Sequence, residues 1–237
     1  MKSLSALFKA IAKHQPFFIS FKEVVFTSLA AFAAIFILVI VVHYATFSAK
    51  LSLLVLASMG ASTFLLFVVP HSPMSQPWSV VGGHFISAVI GVACAKYVAN
   101  PALATAIAVS LSIFIMHWLQ CLHPPSAATA MIAVLGGPEV HMMGWQLCYE
   151  VVVINAGTIV VLAIVINDFI LNRRYPVNHA HHPHHEQFTK EDHTPFPPLT
   201  EDDFKYALTQ VNGVVDVSVE DLVDLYEFAV EHAQQQK

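Results

Sequence analysis

The sequence predicts an all-α polytopic membrane protein with a small soluble tail at its C-terminal end. Of its 237 residues, 56% are apolar and 11% are charged, and the mean hydropathy is +0.63. Soluble domains carry roughly 25% charged residues, so more than half of that charge is missing here. The deficit is localised: residues 24–171 hold five charged side chains, whereas residues 172–237 hold 5 basic and 12 acidic ones. This division indicates that one part of the chain lies in lipid and the other in water.

Six apolar segments follow one another between residues 23 and 174. A helix needs about 20 apolar residues to cross a bilayer, and all but the short fifth segment approach or exceed that length. We expect membrane-embedded helices at residues 24–44, 51–69, 83–99, 102–119, 124–136 and 145–170.

The distribution of positive charge predicts the orientation of these helices. Residues 1–22 contain four lysines, and Arg173 and Arg174 follow the last segment. Positive charge is retained in the cytoplasm, so we predict a multi-pass protein of the inner (plasma) membrane with both termini cytoplasmic. An even number of crossings is then required. We predict six, with four as the alternative if the segments before Pro70 and after Pro124 are re-entrant.

A weak internal repeat relates two of these segments. Residues 60–69 align with residues 126–135, and Ala61, Thr63 and Val68 then coincide with Ala127, Thr129 and Val134. Two three-element repeats with odd numbers of crossings would be inverted relative to each other. Such architecture is typical of transporters, which bind cargo near the midplane where the repeats meet.

The stretch from Gln120 to Ala130, Gln-Cys-Leu-His-Pro-Pro-Ser-Ala-Ala-Thr-Ala, contains the most informative motif. Pro124 and Pro125 suit the first turn of a helix, and small side chains such as Ser126 allow a ligand to approach the backbone. We expect free N–H groups and the positive dipole end to form an anion site there, next to His123 as a hydrogen-bond donor. The alternative is a tight turn between two helices. In the aligned segment, Gly60, Ser62 and Thr63 are the predicted counterparts of this site, and Thr129 completes it.

These residues carry a resemblance to a known family. Leu122–Ala130 resembles the signature of the HPP family of integral membrane proteins, and so do the block Pro70–Pro77 and the block 81–84, Val-Gly-Gly-His, with Ser87. The resemblance covers residues 20–174, with Ser126-Ala127 where many members have Gly-Gly. It implies a transporter-like protein, and plant and cyanobacterial members are associated with nitrite transport. It also implies a pore or substrate role for Gln76 and His84.

From these observations we predict a transporter or channel for a small solute, most consistent with a small monovalent anion such as nitrite. Asn155 in the last segment is a further candidate for the pathway. We expect no enzymatic activity, cofactor or nucleic acid. The partners would be the cargo and the lipid bilayer, and assembly with further copies of the chain stays open. A membrane enzyme or metal site built from His84, His117, His123 and Glu150 is a competing interpretation without supporting spacing.

The C-terminal region predicts a linker followed by a small cap. Residues 175–198 are rich in histidine and proline, and residues 199–237 are acidic, with a helix–strand–helix pattern that predicts an α/β-like cap. His181, His182, His184 and His185 are weak metal-ligand candidates, and a solvated linker is the favoured interpretation. Two alternative functions remain open at this point: a sensor or scaffold whose acidic tail binds a cytosolic partner, and a metal-binding membrane protein.

Overall fold

The computed structural model describes residues 21–45 and 49–177, together with Leu222 and Tyr226, and all regular structure in these residues is helical. Positions 45, 49–56, 150 and 151 are described by their backbone alone. The elements are α1 (Phe21–Ala45), α2 (Ala49–Val68), a 3₁₀ turn (Pro73–Ser75), α3 (Pro77–Tyr97), α4 (Pro101–Trp118), α5 (Ser126–Leu135), α6 (Gly137–Met143) and α7 (Leu147–Ile170).

The last helix, α7, is continuous but irregular. Only its middle, Ile154–Ile164, is an α-helix, and its two ends, Leu147–Val153 and Val165–Ile170, are π-helical. A π-helical turn holds more residues than an α-helical turn, and such turns are frequent at functional sites. Asn155 is the second residue after the first of these π-helical segments.

Every predicted apolar segment coincides with a helix, although the bounds differ. The largest difference is in α3, which begins at Pro77 rather than at residue 83. The predicted start was too late because polar and aromatic residues in the first turns of α3 interrupt the apolar run. Pro77 itself suits the first position of a helix. The predicted segment 124–136 is a helix of only ten residues, Ser126–Leu135.

Four helices in the described part of the chain are long and apolar enough to cross a membrane: α1, α3, α4 and α7. The part of α2 whose side chains are described, Ala57–Val68, is shorter than these four helices, and so is α5. Ten residues rise about 15 Å, half of a hydrocarbon core of about 30 Å. Four candidate crossings are thus identified, and six complete crossings stay a prediction.

Contacts at one end of the bundle place the two ends of the helical region together. Arg173, after α7, forms an ion pair with Glu23 at the start of α1, and its guanidinium donates a hydrogen bond to the carbonyl of Phe67 at the end of α2 (2.9 Å). The start of α1 and the end of α7 therefore lie at the same end of the bundle. This placement agrees with an even number of crossings.

Other contacts show that successive helices alternate in direction. The indole of Trp78, at the start of α3, donates to the carbonyl of Leu119 after α4 (3.2 Å). At the opposite end, the ammonium of Lys96 in the last turn of α3 lies 5.2 Å from the ring centroid of Trp145, just before α7. Each helix therefore runs opposite to its predicted partner in the repeat: α1 opposite to α4, α2 to α5, and α3 to α7. The inverted repeat itself stays a prediction.

The outer helices bury one narrow stripe each. In α1 the buried residues are Ala30, Ala34, Leu38 and Val42, and in α4 they are Ala104, Ala108, Ser112 and Met116. Residues four apart lie on one face of a helix. Much of the remaining apolar surface, such as Phe32 and Phe114 at 69% exposure each, suits contact with lipid chains.

The central helix, α3, contacts α4, α5 and α7, and it approaches α5 very closely. A Cβ atom added at Gly91 would lie 2.6 Å from the Cβ of Ala133 and 2.7 Å from the carbonyl oxygen of Ala130. Glycine is therefore required at position 91 for the two backbones to pack this closely.

The predicted C-terminal regions lie mostly outside the described residues. Of the linker 175–198, only residues 175–177 are described. Of the cap 199–237, only Leu222 and Tyr226 are described, and both are helical. The predicted strand at 214–219 lies outside the described residues and stays a prediction.

Candidate functional site

Two buried histidines, His84 of α3 and His123 of the loop before α5, lie side by side inside the bundle. Their ring centroids are 5.0 Å apart, and neither side chain is exposed. The hydroxyl of Ser62 in α2 bridges them, with its Oγ 2.9 Å from Nε2 of His84 and 2.8 Å from Nε2 of His123. Three separate parts of the chain thus meet at one serine.

The second ring nitrogens of both histidines also have partners. Nδ1 of His84 lies 2.8 Å from Oγ1 of Thr129 in α5, which in turn lies 3.1 Å from Oγ of Ser58 in α2. Nδ1 of His123 lies 2.8 Å from the carbonyl oxygen of Met74 in the 3₁₀ turn. We call these five side chains, from Ser58, Ser62, His84, His123 and Thr129, the histidine cluster.

Local sequence features explain why the cluster forms. Ser58 and Ser62 are four residues apart, so both lie on the same face of α2. Gly83 allows the loop that carries His123 to pack on α3, because a Cβ atom at position 83 would lie 2.8 Å from the Cβ of His123. A larger residue at position 83 would therefore displace His123.

The start of α5 differs from the predicted anion site. Pro124 and Pro125 have no N–H groups, and the N–H of Ser126 donates to the carbonyl of His123 (2.9 Å). The next two N–H groups, of Ala127 and Ala128, donate to the carbonyls of Pro124 and Pro125. The backbone donors that we expected to be free are thus used within the turn. Any donor that this region offers to a ligand must come from a side chain.

The remaining residues around this turn have structural contacts. The Ser126 hydroxyl is buried and donates to the carbonyl of His123 (2.6 Å), with the sulfur of Met116 at 3.1 Å. Pro125 is buried and Pro124 is exposed. Both prolines shape the turn that presents His123.

Of the α2 residues predicted for the site, only Ser62 reaches the imidazoles. Gly60 is exposed, and a Cβ atom added there would contact nothing within 4 Å. The Thr63 hydroxyl is buried and donates to the carbonyl of Met59 in its own helix (2.8 Å). The sequence analysis missed Ser58, although its spacing of four residues from Ser62 is a signal that could have identified it.

Gln76 organises the loop before α3 instead of joining the cluster. Its side-chain amide donates to the carbonyls of Pro70 and Ser72 (3.0 Å each) and accepts from the N–H of Val177 (2.9 Å). Tyr175 supports the same loop, because its hydroxyl donates to the carbonyl of Ser75 (2.7 Å). Burial raises the pKa of the Tyr175 hydroxyl, so this group stays protonated and able to donate.

Two buried polar side chains, one in α3 and one in α7, have no hydrogen-bond partner at any side-chain nitrogen or oxygen in the described part of the chain. Both amide atoms of Asn155 in α7 and the hydroxyl of Ser87 in α3 are without a hydrogen-bond partner there. Ser87 lies about one turn beyond His84. Unpaired buried polar atoms are rare in proteins, so these two positions are candidates for contact with a polar solute.

A cavity of about 130 Å³ opens at the other end of α3. Its lining residues include Lys96, Ala133, His141 and Gly144. The close contact between Gly91 and α5 lies along α3 between this cavity and His84. With a rise of about 1.5 Å per residue, Lys96 is about 18 Å along the helix axis from His84.

The competing metal interpretation has no support in the described residues, where no group of three or more histidine, cysteine or acidic side chains could hold a metal ion. His117 is exposed at the end of α4, away from the cluster. The Glu150 side chain and the histidines at 181, 182, 184 and 185 lie outside the description.

The comparisons with known proteins agree with this architecture. A family model described as the HPP transmembrane region matches residues 16–176, which is more than half of the chain. The chain belongs to the HPP transmembrane family. This confirms the resemblance that the signature around His123 indicated.

Two relatives of this HPP chain come from Dictyostelium discoideum, and both are described as transmembrane proteins. One is 37% identical over 160 residues, covering 66% of this chain and 55% of the relative. The other is 35% identical over 160 residues, covering 66% of this chain and 51% of the relative. The chain thus spans about half the length of the curated relatives that it matches. No solved structure matches it.

Proposed function

We propose that this HPP-family protein is a membrane transporter for a small monovalent anion such as nitrite, and that the histidine cluster binds the anion. The observation that carries the proposal is the pair of buried imidazoles, His84 and His123, bridged by Ser62 between helices of the membrane domain. Ionisable side chains inside a membrane domain are rare and mark solute pathways by default.

The chemistry of the cluster suits a small anion. Neutral imidazole offers one N–H donor, imidazolium offers two, and each hydroxyl offers one. Within the described residues no carboxylate pairs with either imidazole ring. The ion pair in this part of the chain, between Glu23 and Arg173, lies outside the histidine cluster. An anion entering the cluster would thus meet donors without a competing negative charge. Side chains replace the backbone N–H groups in this proposal, because the first N–H groups of α5 have carbonyl partners.

A transport path along α3 connects the features described above. The cluster lies toward one end of α3, the cavity beside Lys96 lies at the other end, and the contact of Gly91 with Ala130 and Ala133 closes the interval between them. A positive side chain at the mouth of a cavity attracts anions. We propose that α5 moves against α3 to open this interval, while Ser87 and Asn155 contact the solute.

The test is uptake into liposomes that contain the purified full chain. We expect saturable uptake of nitrite, measured beside nitrate, formate and chloride, and a loss of at least tenfold in the His123→Ala variant. His117→Ala is the matched control, since it removes an exposed histidine that hydrogen-bonds only to its own helix. This control should transport like the unmodified protein.

A second variant distinguishes loss of the site from loss of the fold. His84→Gln keeps a side chain of similar reach with a donor and an acceptor, and we expect it to insert normally while its uptake falls. Unchanged nitrite uptake in correctly inserted His123→Ala and His84→Gln proteins would refute the site. Absence of uptake of all four anions by the unmodified protein would refute anion transport.

A further inference from the structure

We propose that Tyr175 is a positioning residue for His123, on which it acts through the loop before α3. Tyr175 belongs to the segment after α7, Arg173–Val177, which we call the C-terminal strap. The strap contacts the two loop residues that follow Met74, and the carbonyl of Met74 holds the ring of His123. The effect of Tyr175 on transport rests on the proposed function, whereas the positioning of His123 does not.

The strap is an extended segment that begins where the chain leaves α7. Asn172 adopts a left-handed conformation (φ 51°), which turns the chain out of the helix, and asparagine tolerates this conformation better than most residues. After this turn Arg173 and Tyr175 are buried, whereas Arg174 and Pro176 are exposed. Alternation of this kind is typical of an extended chain with one face on the protein.

Contacts at both ends fasten the strap to the bundle. At its start, the guanidinium of Arg173 donates to the carbonyl of Phe67 at the end of α2 (2.9 Å). At its other end, the N–H of Val177 donates to the side-chain oxygen of Gln76 (2.9 Å). Tyr175 lies between these two contacts and is 2% exposed. The strap therefore holds the tyrosine at a defined place against the loop.

Consecutive residues of the loop connect the strap to the histidine cluster. The carbonyl of Met74 accepts from Nδ1 of His123 (2.8 Å), and the carbonyl of Ser75 accepts from the hydroxyl of Tyr175 (2.7 Å). These carbonyls belong to adjacent peptide units, which are planar, so only the two backbone dihedral angles of Ser75 separate them. Fixing the Ser75 carbonyl therefore restricts the direction of the Met74 carbonyl.

Tyr175 differs from the other partners of the loop in where it is anchored. The hydroxyl of Ser75 donates to the carbonyl of Val69 (2.8 Å), and the amide of Gln76 donates to carbonyls of the same loop. Such bonds can move together with the loop. Tyr175 is 100 residues away from Ser75 in the chain, and its ring belongs to the apolar core between the helices. Its hydroxyl thus ties the loop to the bundle.

The carbonyl of Met74 determines which nitrogen of His123 carries the proton. A carbonyl can only accept, so Nδ1 of the neutral ring is the N–H and Nε2 is the nitrogen that faces the hydroxyl of Ser62 (2.8 Å). If this carbonyl turned away, Nδ1–H would be left buried without its acceptor, which is unfavourable. The ring would then also populate the tautomer with the proton on Nε2. Tyr175 therefore stabilises one tautomer and one orientation of His123.

The experiment that tests the positioning is nitrogen-15 NMR of the full chain with labelled histidine, in lipid nanodiscs, at a pH at which both cluster rings are neutral. Signals are assigned by comparison with the His84→Gln and His123→Gln proteins. In the unmodified protein we expect a single tautomer of His123, with the proton on Nδ1. In Tyr175→Phe, which removes the hydroxyl and keeps the ring, the signal of the second tautomer of His123 should appear.

The second ring of the cluster provides an internal reference. His84 is hydrogen-bonded to Ser62 and Thr129, which belong to α2 and α5 and not to the loop. Its tautomer should therefore be the same in Tyr175→Phe and in the unmodified protein. Tyr97→Phe is the matched control, since it removes the hydroxyl of a tyrosine that is 80% exposed at the far end of α3. This control should leave both rings unchanged.

Three results would overturn the positioning role. An identical His123 signal in Tyr175→Phe and in the unmodified protein would show that the loop holds its own shape. Equal changes of both rings would show that the hydroxyl of Tyr175 stabilises the fold as a whole. Two tautomers of His123 in the unmodified protein would show that the carbonyl of Met74 does not fix the ring.

The consequence for transport is measured as nitrite uptake into liposomes over a range of nitrite concentrations. A site that is assembled in only a fraction of the molecules has an apparent affinity reduced by that fraction. We expect the half-saturation concentration of Tyr175→Phe to rise about fivefold, which corresponds to the loss of one hydrogen bond. The maximal rate should be retained, since saturating nitrite selects the molecules whose site is assembled.

The two measurements fail in different ways. A changed tautomer of His123 with an unchanged half-saturation concentration would overturn its consequence for transport and refute the proposed anion site. Absence of uptake of nitrite, nitrate, formate and chloride by the unmodified protein would refute anion transport, while the NMR result would still decide the role of Tyr175. Tyr97→Phe should transport like the unmodified protein, and a loss equal to that of Tyr175→Phe would count against the strap.

Discussion

Replacing Gly91 by alanine tests the close packing of α3 on α5. The added methyl group would lie 2.6 Å from the Cβ of Ala133 and 2.7 Å from the carbonyl oxygen of Ala130. Carbon atoms in contact prefer separations of about 3.5–4.0 Å, so the helices would have to separate by about 1 Å. Because one of the two neighbours is backbone, a change of side-chain rotamer cannot relieve the overlap.

The expected loss of stability follows from two opposing effects. Overpacking of this kind typically costs about 1–3 kcal/mol, whereas alanine is favoured over glycine in a helix by about 1 kcal/mol. Gly157→Ala is the matched control, because position 157 lies in α7 and a Cβ atom there contacts nothing within 4 Å. The control gains the helical preference without the overlap. The helical preference is common to both variants and cancels, so we expect Gly91→Ala to be less stable than Gly157→Ala by the overpacking cost alone, about 2 kcal/mol.

The three cysteines provide the assay. Cys94, Cys121 and Cys148 are all buried free thiols, so a thiol-reactive dye reports unfolding of the detergent-solubilised protein on heating. For a domain of 150–250 residues, 2 kcal/mol corresponds to about 4–8 °C in melting temperature. Equal melting temperatures of the Gly91→Ala and Gly157→Ala proteins would show that α3 and α5 do not pack as described.

Two further stability predictions concern the end of the bundle where the helical region begins and ends. Arg173→Ala should lower the melting temperature, since Arg173 is 5% exposed and hydrogen bonds to charged groups contribute about 1.5–3 kcal/mol each. Arg174→Ala, which removes an exposed arginine, is its control, and equal effects of the two variants would contradict the ion pair of Arg173 with Glu23. Gln76→Ala should lower the melting temperature through the loss of three hydrogen bonds to backbone groups. In the same dye assay Gln120→Ala, which removes one exposed hydrogen bond, should have little effect, and a Gln76→Ala protein as stable as this control would contradict the loop contacts.

The sequence alone predicted the two histidines of the candidate site. The His-Pro-Pro signature identified His123 and, through the family resemblance, His84. The free N–H groups that we expected at the start of α5 are not available, since prolines supply no N–H and the next donors bond to carbonyls three residues earlier. Gln76 was predicted at the site and instead holds a loop together, because its amide reaches backbone groups on both sides of that loop.

The sequence by itself determined the class of the protein and the helices of its membrane domain. Hydropathy is a property of successive residues, so apolar runs predict helices in lipid without knowledge of the fold. Only the tertiary structure decided which polar groups meet. Ser62 lies 22 residues from His84 and 61 from His123, and no local pattern fixes such distances. Nδ1 of His123 likewise meets the carbonyl of Met74, 49 residues away in the chain, and the position of that carbonyl results from the packing of the loop before α3.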